Sequence, residues 1–321
     1  MTLFLDENCV AELVGMDDAL AAVEEVFGEV GRGSVTNVPR VRAPLKDGTL
    51  RITAAVLNYR GYYGVKVSST TIFESSAGRV FSLYKADTGE LAAIVQVFAM
   101  GALRTGAASG VATKFMARPD ACRLGVVGTG RQARTQVEAI CKVRPIREIL
   151  VHSRSAENRA RFCAGLAGLD IQATPVDSAE AAIRDRDIVV TATTATEPVL
   201  WGAWLAPGTH VNAIGANYEY RRETDSDAIG RTAIIATDDL EQVKYEATDL
   251  TAPVAEGVIG WDRVVGLGDI VAGNTVGRRS DQDITLFKSL GVALEDVALA
   301  ACAYEKALEA GIGQKLPDLA G

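Results

Sequence analysis

The segment 124–133 joins a run of small and apolar residues to the start of a helical pattern through a glycine-rich turn. Its letters are LGVVGTGRQA, in which Gly128, Gly130 and Ala133 have the spacing of the GxGxxA form of the dinucleotide fingerprint. Gly128 allows a tight turn, Gly130 lets the backbone approach a pyrophosphate, and Ala133 permits close packing of helix on strand. Amides at the helix start then face the phosphate charge. This turn predicts a bound dinucleotide.

The residues around the turn repeat one pattern. Helices are predicted over about 133–143 and 156–166, and they alternate with short β-branched runs: RLGVVG, REILVHS, DIVVTAT, HVNAIGA and AIIAT. Short strands alternating with helices indicate parallel βαβ units. The fold class is therefore α/β, with a Rossmann-type doubly wound parallel sheet, and we assign the dinucleotide-binding domain to residues 118–291.

The first part of the chain has a different texture. An apolar stripe at alternating spacings of four and three predicts a helix over about 16–30. Strand-like runs follow, LRITAAVLN, YYGVKVSSTT and RVFSLYKADTGELAAIVQ, the last with a hairpin turn at Asp87-Thr88-Gly89. A helix is predicted from near Arg104 to just before Pro119. A last apolar helical stripe runs from Leu290 to Leu308. We expect a smaller α+β domain of residues 1–117 plus about 292–321.

Composition narrows the function. The five cysteines form no CxxC pair, which favours reduced thiols and a cytoplasmic location. The two histidines have no ligands at metal-binding spacing, so no metal is expected. A net charge of -8 without a basic block argues against nucleic acid, and no apolar run reaches the roughly 18–20 residues of a membrane span. The expected partner is a small molecule.

The end of the second parallel strand bears on the choice of cofactor. An enzyme that prefers NAD usually carries an acid there for the ribose hydroxyl, but this chain has Ser153 and Arg154. These side chains suit a 2′-phosphate, so NADP is favoured over NAD. The alternative is that Arg154 lies at the surface while either NAD(P)H binds.

Several basic residues of the first part are candidates for a substrate site. Lys66 stands in the strand-like run GYYGVKVSS, where a buried lysine is costly unless it is paired or used. Arg104 opens the small-residue run RTGAASG, and Arg40, Arg42 and Arg51 lie in VPRVRAPLKDGTLRIT. Each arginine taken alone is more typical of a solvated surface.

Three features together resemble the ornithine cyclodeaminase/mu-crystallin family over essentially the whole chain. They are RTGAASG directly upstream of LGVVGTGRQA, the strand lysine Lys66, and the late segment ITLFKSLGVALEDVA. The resemblance implies a Rossmann domain beside a smaller α+β domain that also mediates dimerisation. Members include cyclodeaminases, an alanine dehydrogenase and ketimine and other imine reductases.

The resemblance also implies site residues. Lys66 would be the catalytic lysine, and Arg40 and Arg104 would hold the substrate α-carboxylate, as bidentate arginines can. Ser289 would lie near the nicotinamide, although it is equally well explained as a helix cap. The cofactor-binding residues are then Thr105, Gly128, Thr129, Gly130, Arg131, Gln132, Ser153, Arg154, Thr191 and Ser289.

Two positions refine the function. Cyclodeaminases of the family carry an aspartate after the fifth Rossmann strand, whereas this chain has Asn217. We expect Asn217 to bind the substrate, but it cannot act as a carboxylate base. Asp225 and Asp227 are better explained by structural or surface roles. Arg51, if it points towards the substrate, would bind a second carboxylate and favour an imino acid such as iminosuccinate.

The leading hypothesis is NAD(P)H-dependent reduction of an imino acid to an L-amino acid, or the reverse oxidation, by a homodimer. One alternative is an ornithine or lysine cyclodeaminase with recycled NAD, against which Asn217 argues. The other is a mu-crystallin-like NADP-dependent ligand-binding protein, against which Lys66 and the arginines argue.

Overall fold

The computed structural model describes residues 2–70 and 79–317. Contacts divide the chain into two compact units, Met1–Arg104 with Gly291–Gly321, and Thr105–Leu290. The domain boundaries predicted from the sequence, at 117–118 and about 291–292, stay a prediction. In the described ranges, no helix combines the length and hydrophobicity that a bilayer crossing requires.

The strands are numbered in chain order. They are β1 Leu3–Leu5, β2 Val35–Leu45, β3 Gly48–Leu57, β4 Tyr62–Ser69, β5 Val80–Lys85, β6 Leu91–Gln96, β7 Arg123–Val127, β8 Glu148–His152, β9 Gln172–Pro175, β10 Ile188–Thr191, β11 His210–Ala213, β12 Ile234–Thr237, β13 Val264–Gly266, β14 Thr285–Lys288 and β15 Gln314–Lys315.

The α-helices are numbered in the same way. They are α1 Glu7–Leu13, α2 Met16–Gly31, α3 Phe98–Met116, α4 Arg131–Val143, α5 Ala156–Gly165, α6 Ala179–Ile183, α7 Ser226–Arg231, α8 Val243–Glu246, α9 Thr248–Ala255, α10 Leu267–Val271 and α11 Ala293–Ala310.

The first unit is a sheet with helices on one face. Its strand order is β15-β1-β6-β5-β4-β3-β2, antiparallel except where β1 pairs with β6. The helix α11 packs across β2 to β5 and against α2. The predicted helix over 16–30 is confirmed as α2, and the hairpin at Asp87-Thr88-Gly89 is confirmed between β5 and β6, where Gly89 has a φ of +74°. Thr71, the last residue of the predicted run YYGVKVSSTT, lies outside the described residues.

The face of this sheet opposite α11 is apolar. Side chains alternate between the two faces along each strand, and directly paired residues point to the same face. The register pairs Val41 with Ile52, Ile52 with Val67, and Val67 with Val80. Val41 is 53% exposed and Val67 is 50% exposed. A row of valine and isoleucine side chains therefore crosses four strands on the outer face.

The second unit is a parallel sheet of order β13-β12-β14-β11-β10-β7-β8-β9. Two buried apolar clusters pack against it, one including Val137 of α4 and the other including Ile229 of α7. The order reverses between β7 and β10, as in a doubly wound fold, and the ligand crevice of such sheets lies at the carboxyl ends of strands beside this point. The predicted fold class is confirmed.

The helix predicted from near Arg104 is longer than expected. It begins at Phe98 because the carboxylate of Glu7 accepts hydrogen bonds from the amides of Phe98 and Ala99, at 2.6 and 2.9 Å. A carboxylate at this position satisfies first-turn amides as an N-cap does. The capping residue is far away in the sequence, so no local signal marks this start and the prediction of its first residue was wrong.

Candidate active site

Lys66 lies in the middle of β4, on the sheet face that carries α11. The strand pairing sets Thr53 and Phe81 on either side of it. Its Nζ donates a hydrogen bond to Oδ2 of Asp296, in the first turn of α11. The Lys66 side chain is 16% exposed and that of Asp296 only 1%. The lysine predicted from the sequence is thus held on a buried carboxylate and keeps limited access to solvent.

Two of the predicted arginines meet beside this pair. Arg104 binds Glu295 through Nη1 at 2.7 Å and Asp296 through Nε at 3.2 Å. Arg40 donates from Nη2 to the carbonyl oxygen of Gly291. Gly291 has a φ of +71°, and a Cβ there would lie 2.4 Å from Nη1 of Arg104. The chain therefore needs glycine at this position, which brings Arg40 and Arg104 to one point.

The charges around Lys66 set its proton affinity. Burial lowers the pKa of Lys66 to about 8. The positive charges of Arg104 and Arg40 act in the same direction, whereas Asp296 opposes them because it favours the ammonium. Burial raises the pKa of Asp296, yet the nearby Lys66 and Arg104 outweigh burial and hold that pKa below its usual value. Near neutral pH this site contains a carboxylate and a lysine that can give up its proton.

Arg51 lies on the same face of the sheet as Lys66. In the register Arg51 pairs with Arg42 on one side and with Ser68 on the other, two residues along each strand from the pair Thr53 and Lys66. Burial and then the positive charge of Arg51 lower the pKa of Arg79, so the two guanidinium groups lie within electrostatic range of each other. Positive charge therefore extends from Lys66 along β3.

The glycine-rich turn of the second unit has the form that a dinucleotide requires. Gly128 follows β7 with a φ of +113°, and a Cβ on it would lie 2.3 Å from the carbonyl oxygen of Ala192. Gly130 is the N-cap of α4 and has no side chain to cap the first amides. A Cβ on Gly130 would meet nothing within 4 Å among the described residues. Packing explains the first glycine, whereas the second leaves open space above a helix N-terminus, which fits a pyrophosphate.

Residues near this turn also fit a dinucleotide. The side-chain oxygen Oε1 of Gln132 is buried without a hydrogen-bond partner among the described residues. Thr129 donates from Oγ1 to Oγ of Ser153, at 3.1 Å, which joins the turn to the end of β8. Arg131 and Arg154 are exposed. The structure thus brings Thr129 and Ser153 together and leaves the two arginines at the surface.

The remaining predicted residues of this unit are placed separately. The carbonyl of Thr105 accepts a bond from Gln136 of α4, and Thr191 donates from Oγ1 to Glu223 at 2.9 Å. Asn217 is half-buried in the segment after β11.

Ser289 donates from Oγ to Asp238 at 3.4 Å, and the N-cap of α11 is Val292, so the alternative prediction of Ser289 as that helix's cap is wrong. Asp225 is the N-cap of α7, the structural role expected for it.

The acids beside Lys66 were missed by sequence reasoning. Glu295 and Asp296 belong to the quoted segment ITLFKSLGVALEDVA but were given no role. Both are buried in a helix whose other neighbours are mostly alanine, leucine and valine. A charged pair inside so apolar a helix is costly unless it is matched by cations. That cost was the signal available in the sequence.

One unit has a parallel sheet of the dinucleotide-binding type, and the other has a half-buried lysine beside two arginines. Comparison with known proteins identifies the family. The model of the ornithine cyclodeaminase/mu-crystallin family matches residues 1–311. The chain belongs to that family, as the sequence predicted.

Individual relatives are similar over their whole length. The structure of Delta(1)-pyrroline-2-carboxylate reductase of Thermococcus litoralis, in complex with NADH and L-proline, has a TM-score of 0.92 and 35% identity, with 98% of this chain and 100% of that chain covered. An archaeal alanine dehydrogenase dimer with bound NAD has a TM-score of 0.92 and 35% identity, with 99% of each chain covered. The iminosuccinate reductase of Paracoccus denitrificans is 30% identical, with 98% of this chain and 99% of the relative covered. The predicted class of enzyme, an oxidoreductase, is confirmed by these relatives.

Proposed function

We propose that this protein reduces the C=N bond of an imino acid to an L-amino acid with NAD(P)H, or catalyses the reverse oxidation. The observation that carries the proposal is the cluster of Lys66, Asp296, Arg104 and Arg40, in which a half-buried lysine lies between a carboxylate and two guanidinium groups. The named activities of the similar proteins support it, since they act on cyclic imines, alanine or iminosuccinate.

Each residue of the cluster has a distinct task. Arg40 and Arg104 suit the α-carboxylate of the substrate, because guanidinium groups bind carboxylates through paired hydrogen bonds. Lys66 gives a proton from Nζ to the imine nitrogen in reduction and takes it back in oxidation. With a pKa of about 8, both of its protonation states are accessible near neutral pH. The dinucleotide, held at Gly128, Gly130 and the start of α4, supplies or accepts the hydride.

The two other functions make different demands. A cyclodeaminase would release ammonia from ornithine or lysine without net use of cofactor, and Asn217 supplies no carboxylate base for that reaction. A ligand-binding protein of the mu-crystallin kind has no need for a lysine whose pKa is lowered to about 8. The cluster therefore favours the reductase.

One assay separates the three functions. The purified full-length protein is mixed with NADPH or NADH and with 2-oxo acids plus ammonia or methylamine, or with cyclic ketimines. We expect the nicotinamide absorbance to fall with at least one of these substrates. Ammonia release from ornithine or lysine without that change would replace the proposal by the cyclodeaminase, and binding without turnover would replace it by the ligand-binding protein.

Arg51 favours a dicarboxylic substrate such as iminosuccinate. Its place on the face of Lys66, next to Arg79, puts positive charge where a second carboxylate would extend. The exchange Arg51→Met should raise the KM for the imine of oxaloacetate by about tenfold or more, since a charged hydrogen bond contributes about 1.5–3 kcal/mol. The imine of pyruvate is the control and should change little. Equal effects on both substrates would refute this specificity.

We also propose that the cofactor is NADP rather than NAD. The residues after β8 are Ser153 and Arg154 where an NAD-preferring sheet has an acid, and the hydroxyl of Ser153 already contacts the glycine-rich turn through Thr129. The similar structures contain NADH or NAD, so this preference would be a departure from them. Dissociation constants for NADPH and NADH decide it, and tighter binding of NADH would reject the preference.

The apolar outer face of the first unit supports a homodimer. Exposed Val41 and Val67 lie in a row of apolar side chains, and the similar archaeal alanine dehydrogenase is a dimer. We expect Val41→Glu with Val67→Glu to give monomers in light scattering. Val258→Glu, at a valine of the other unit that is 41% exposed, is the matched control and should leave a dimer.

A further inference from the structure

Glu223 is a buried carboxylate that the proposed chemistry does not use. It has no exposed surface, and its two oxygens accept four hydrogen bonds. Oε1 accepts from the amide and the hydroxyl of Thr193, at 2.6 and 2.7 Å. Oε2 accepts from the hydroxyl of Thr191 at 2.9 Å and from the amide of Gly215 at 2.6 Å. One side chain thus fixes the ends of two parallel strands.

The segments that Glu223 holds adjoin the glycine-rich turn. Thr193 follows β10, and Gly215 follows β11. A Cβ on Gly128 would lie 2.3 Å from the carbonyl oxygen of Ala192, and a Cβ on Gly215 would lie 2.2 Å from that of Thr193. The three segments are therefore packed so closely that displacement of the Thr193 segment would press on the turn.

Glu223 is itself fixed from a third side. Asp249, in the first turn of α9, accepts hydrogen bonds from the amides of Glu223 and Thr224, at 2.8 and 2.9 Å. The other oxygen of Asp249 forms an ion pair of 2.9 Å with Lys288, at the end of β14. Both partners of this pair are completely buried. The network therefore links the carboxyl ends of β10, β11 and β14.

The strand order gives this network a place relative to a dinucleotide. A doubly wound sheet binds one mononucleotide on each side of its switch point, with the pyrophosphate at the first glycine-rich turn. Here β7, β8 and β9 form the adenosine side, which leaves the nicotinamide side to β10, β11 and β14. We propose that Glu223 is a positioning residue that holds the nicotinamide half of the dinucleotide site in shape, an inference that rests on the proposed function.

The contacts show why a carboxylate is needed. The amides of Thr193 and Gly215 can only donate, and they approach different oxygens of Glu223. A glutamine has a single acceptor oxygen, so in either orientation its NH₂ group would face one of these amides. Glu223→Gln should therefore release one strand end although its size is unchanged.

The test measures binding and does not depend on turnover. Wild-type protein and Glu223→Gln are titrated with NADPH, NADH, ADP-ribose and 2′-phospho-ADP-ribose, with fluorescence or calorimetry as the readout. We expect the variant to bind the complete dinucleotides at least about tenfold more weakly, the scale set by an unsatisfied buried amide. Binding of the two ADP-ribose fragments, which lack the nicotinamide, should change less than about twofold.

Asp187→Asn is the matched control. Asp187 is also a buried carboxylate with several donors, namely Arg118, Arg123 and the amides of Cys122 and Arg123. It directly precedes β10 and so lies at the amino ends of the strands, away from the network of Glu223. The exchange Asp187→Asn should lower the Tm and leave dinucleotide binding unchanged. Thr193→Val removes one hydroxyl donor and keeps the amide. It should weaken the binding of NADH, as Glu223→Gln does, and it replaces Glu223→Gln as the test if that variant does not fold.

The outcomes separate the two proposals. Equal loss of affinity for dinucleotides and fragments, or the same loss in Asp187→Asn, would overturn the positioning role, as would unchanged binding in Glu223→Gln and Thr193→Val. If the wild-type protein bound no dinucleotide at all, the proposed function would fail and the inference with it. A loss confined to the complete dinucleotides supports the role of Glu223.

Discussion

Each unit of this protein contains a lysine paired with a buried aspartate. In the first unit Lys66 contacts Asp296, and in the second Lys288 forms an ion pair with Asp249. The two pairs differ in exposure, since Lys66 is 16% exposed and Lys288 is completely buried. They also differ in the groups that surround them, which are arginines beside Lys66 and oxygen acceptors beside Lys288.

The surroundings give the two pairs different uses. Arg104 and Arg40 add positive charge beside Lys66, and the pKa of Lys66 is lowered to about 8 by burial and by these arginines. Around Lys288 no further cation is added, since its neighbours are oxygen acceptors: Asp249 pairs with it, and the carbonyl oxygen of Ala213 accepts a hydrogen bond from it at 3.3 Å. A lysine among cations can exchange its proton, whereas a lysine among acceptors connects segments. We therefore expect mutations of the first pair to change chemistry and mutations of the second to change stability.

The exchange Lys66→Met should have the largest effect on turnover. It removes the only group assigned to give or take the proton, so turnover should fall by about a hundredfold to ten-thousandfold. Binding of NADPH or NADH should stay within about twofold, because the residues proposed to bind the dinucleotide lie in the other unit. Steady-state rates and cofactor titrations measure the two effects.

A second lysine of the same unit controls for charge. Lys306 forms an ion pair of 2.6 Å with Asp18 and is more exposed than Lys66. Lys306→Met should keep nearly full turnover. Survival of turnover in Lys66→Met would show that the assigned role of this lysine is wrong.

The exchange Lys288→Met should act mainly on stability. It leaves Asp249 buried without its cation, and breaking a buried ion pair costs about 3–5 kcal/mol. The free energy of unfolding, from urea denaturation, should fall by about that amount and by more than in Lys66→Met, where Arg104 stays beside Asp296. A Lys288→Met variant as stable as the wild type would remove the distinction between the two pairs.

The sequence predicted the fold well where signals are local. Alternating runs with the GxGxxA turn predicted the parallel sheet, and the apolar stripe predicted α2 almost to the residue. The start of α3 was missed because Glu7, which caps it, comes from a separate element. An interaction between distant residues leaves no periodic trace in the segment that it stabilises.

The candidate site was predicted unevenly for the same reason. Lys66, Arg40 and Arg104 could be named because family motifs mark them, and the structure brings them together. Their counter-ions, Asp296 and Glu295, and the network of Glu223, Asp249 and Lys288 were not named. Their contacts join residues far apart in the chain, and only a folded chain shows which acid meets which base.

The smallest expected effect concerns the pH dependence of the first pair. Lys66 is protonated below its pKa of about 8, so kcat/KM for imine reduction should be level at lower pH and fall about tenfold per pH unit above it. The reverse oxidation needs the neutral amine and should instead rise with pH through the same range. Asp296 favours the ammonium, so Asp296→Asn should lower the pKa of Lys66 and move both profiles to lower pH by about one unit.

The paired profiles distinguish this shift from structural damage. Damage would lower both rates at every pH, whereas a lower pKa of Lys66 weakens reduction and strengthens oxidation at the same intermediate pH. Glu305→Gln neutralises another carboxylate of α11, one that binds Arg60 instead of Lys66, and it should leave both midpoints in place. Midpoints that stayed near pH 8 in Asp296→Asn would show that Lys66 is not the group that titrates. Proton transfer would then no longer distinguish the pair of Lys66 and Asp296 from the pair of Lys288 and Asp249.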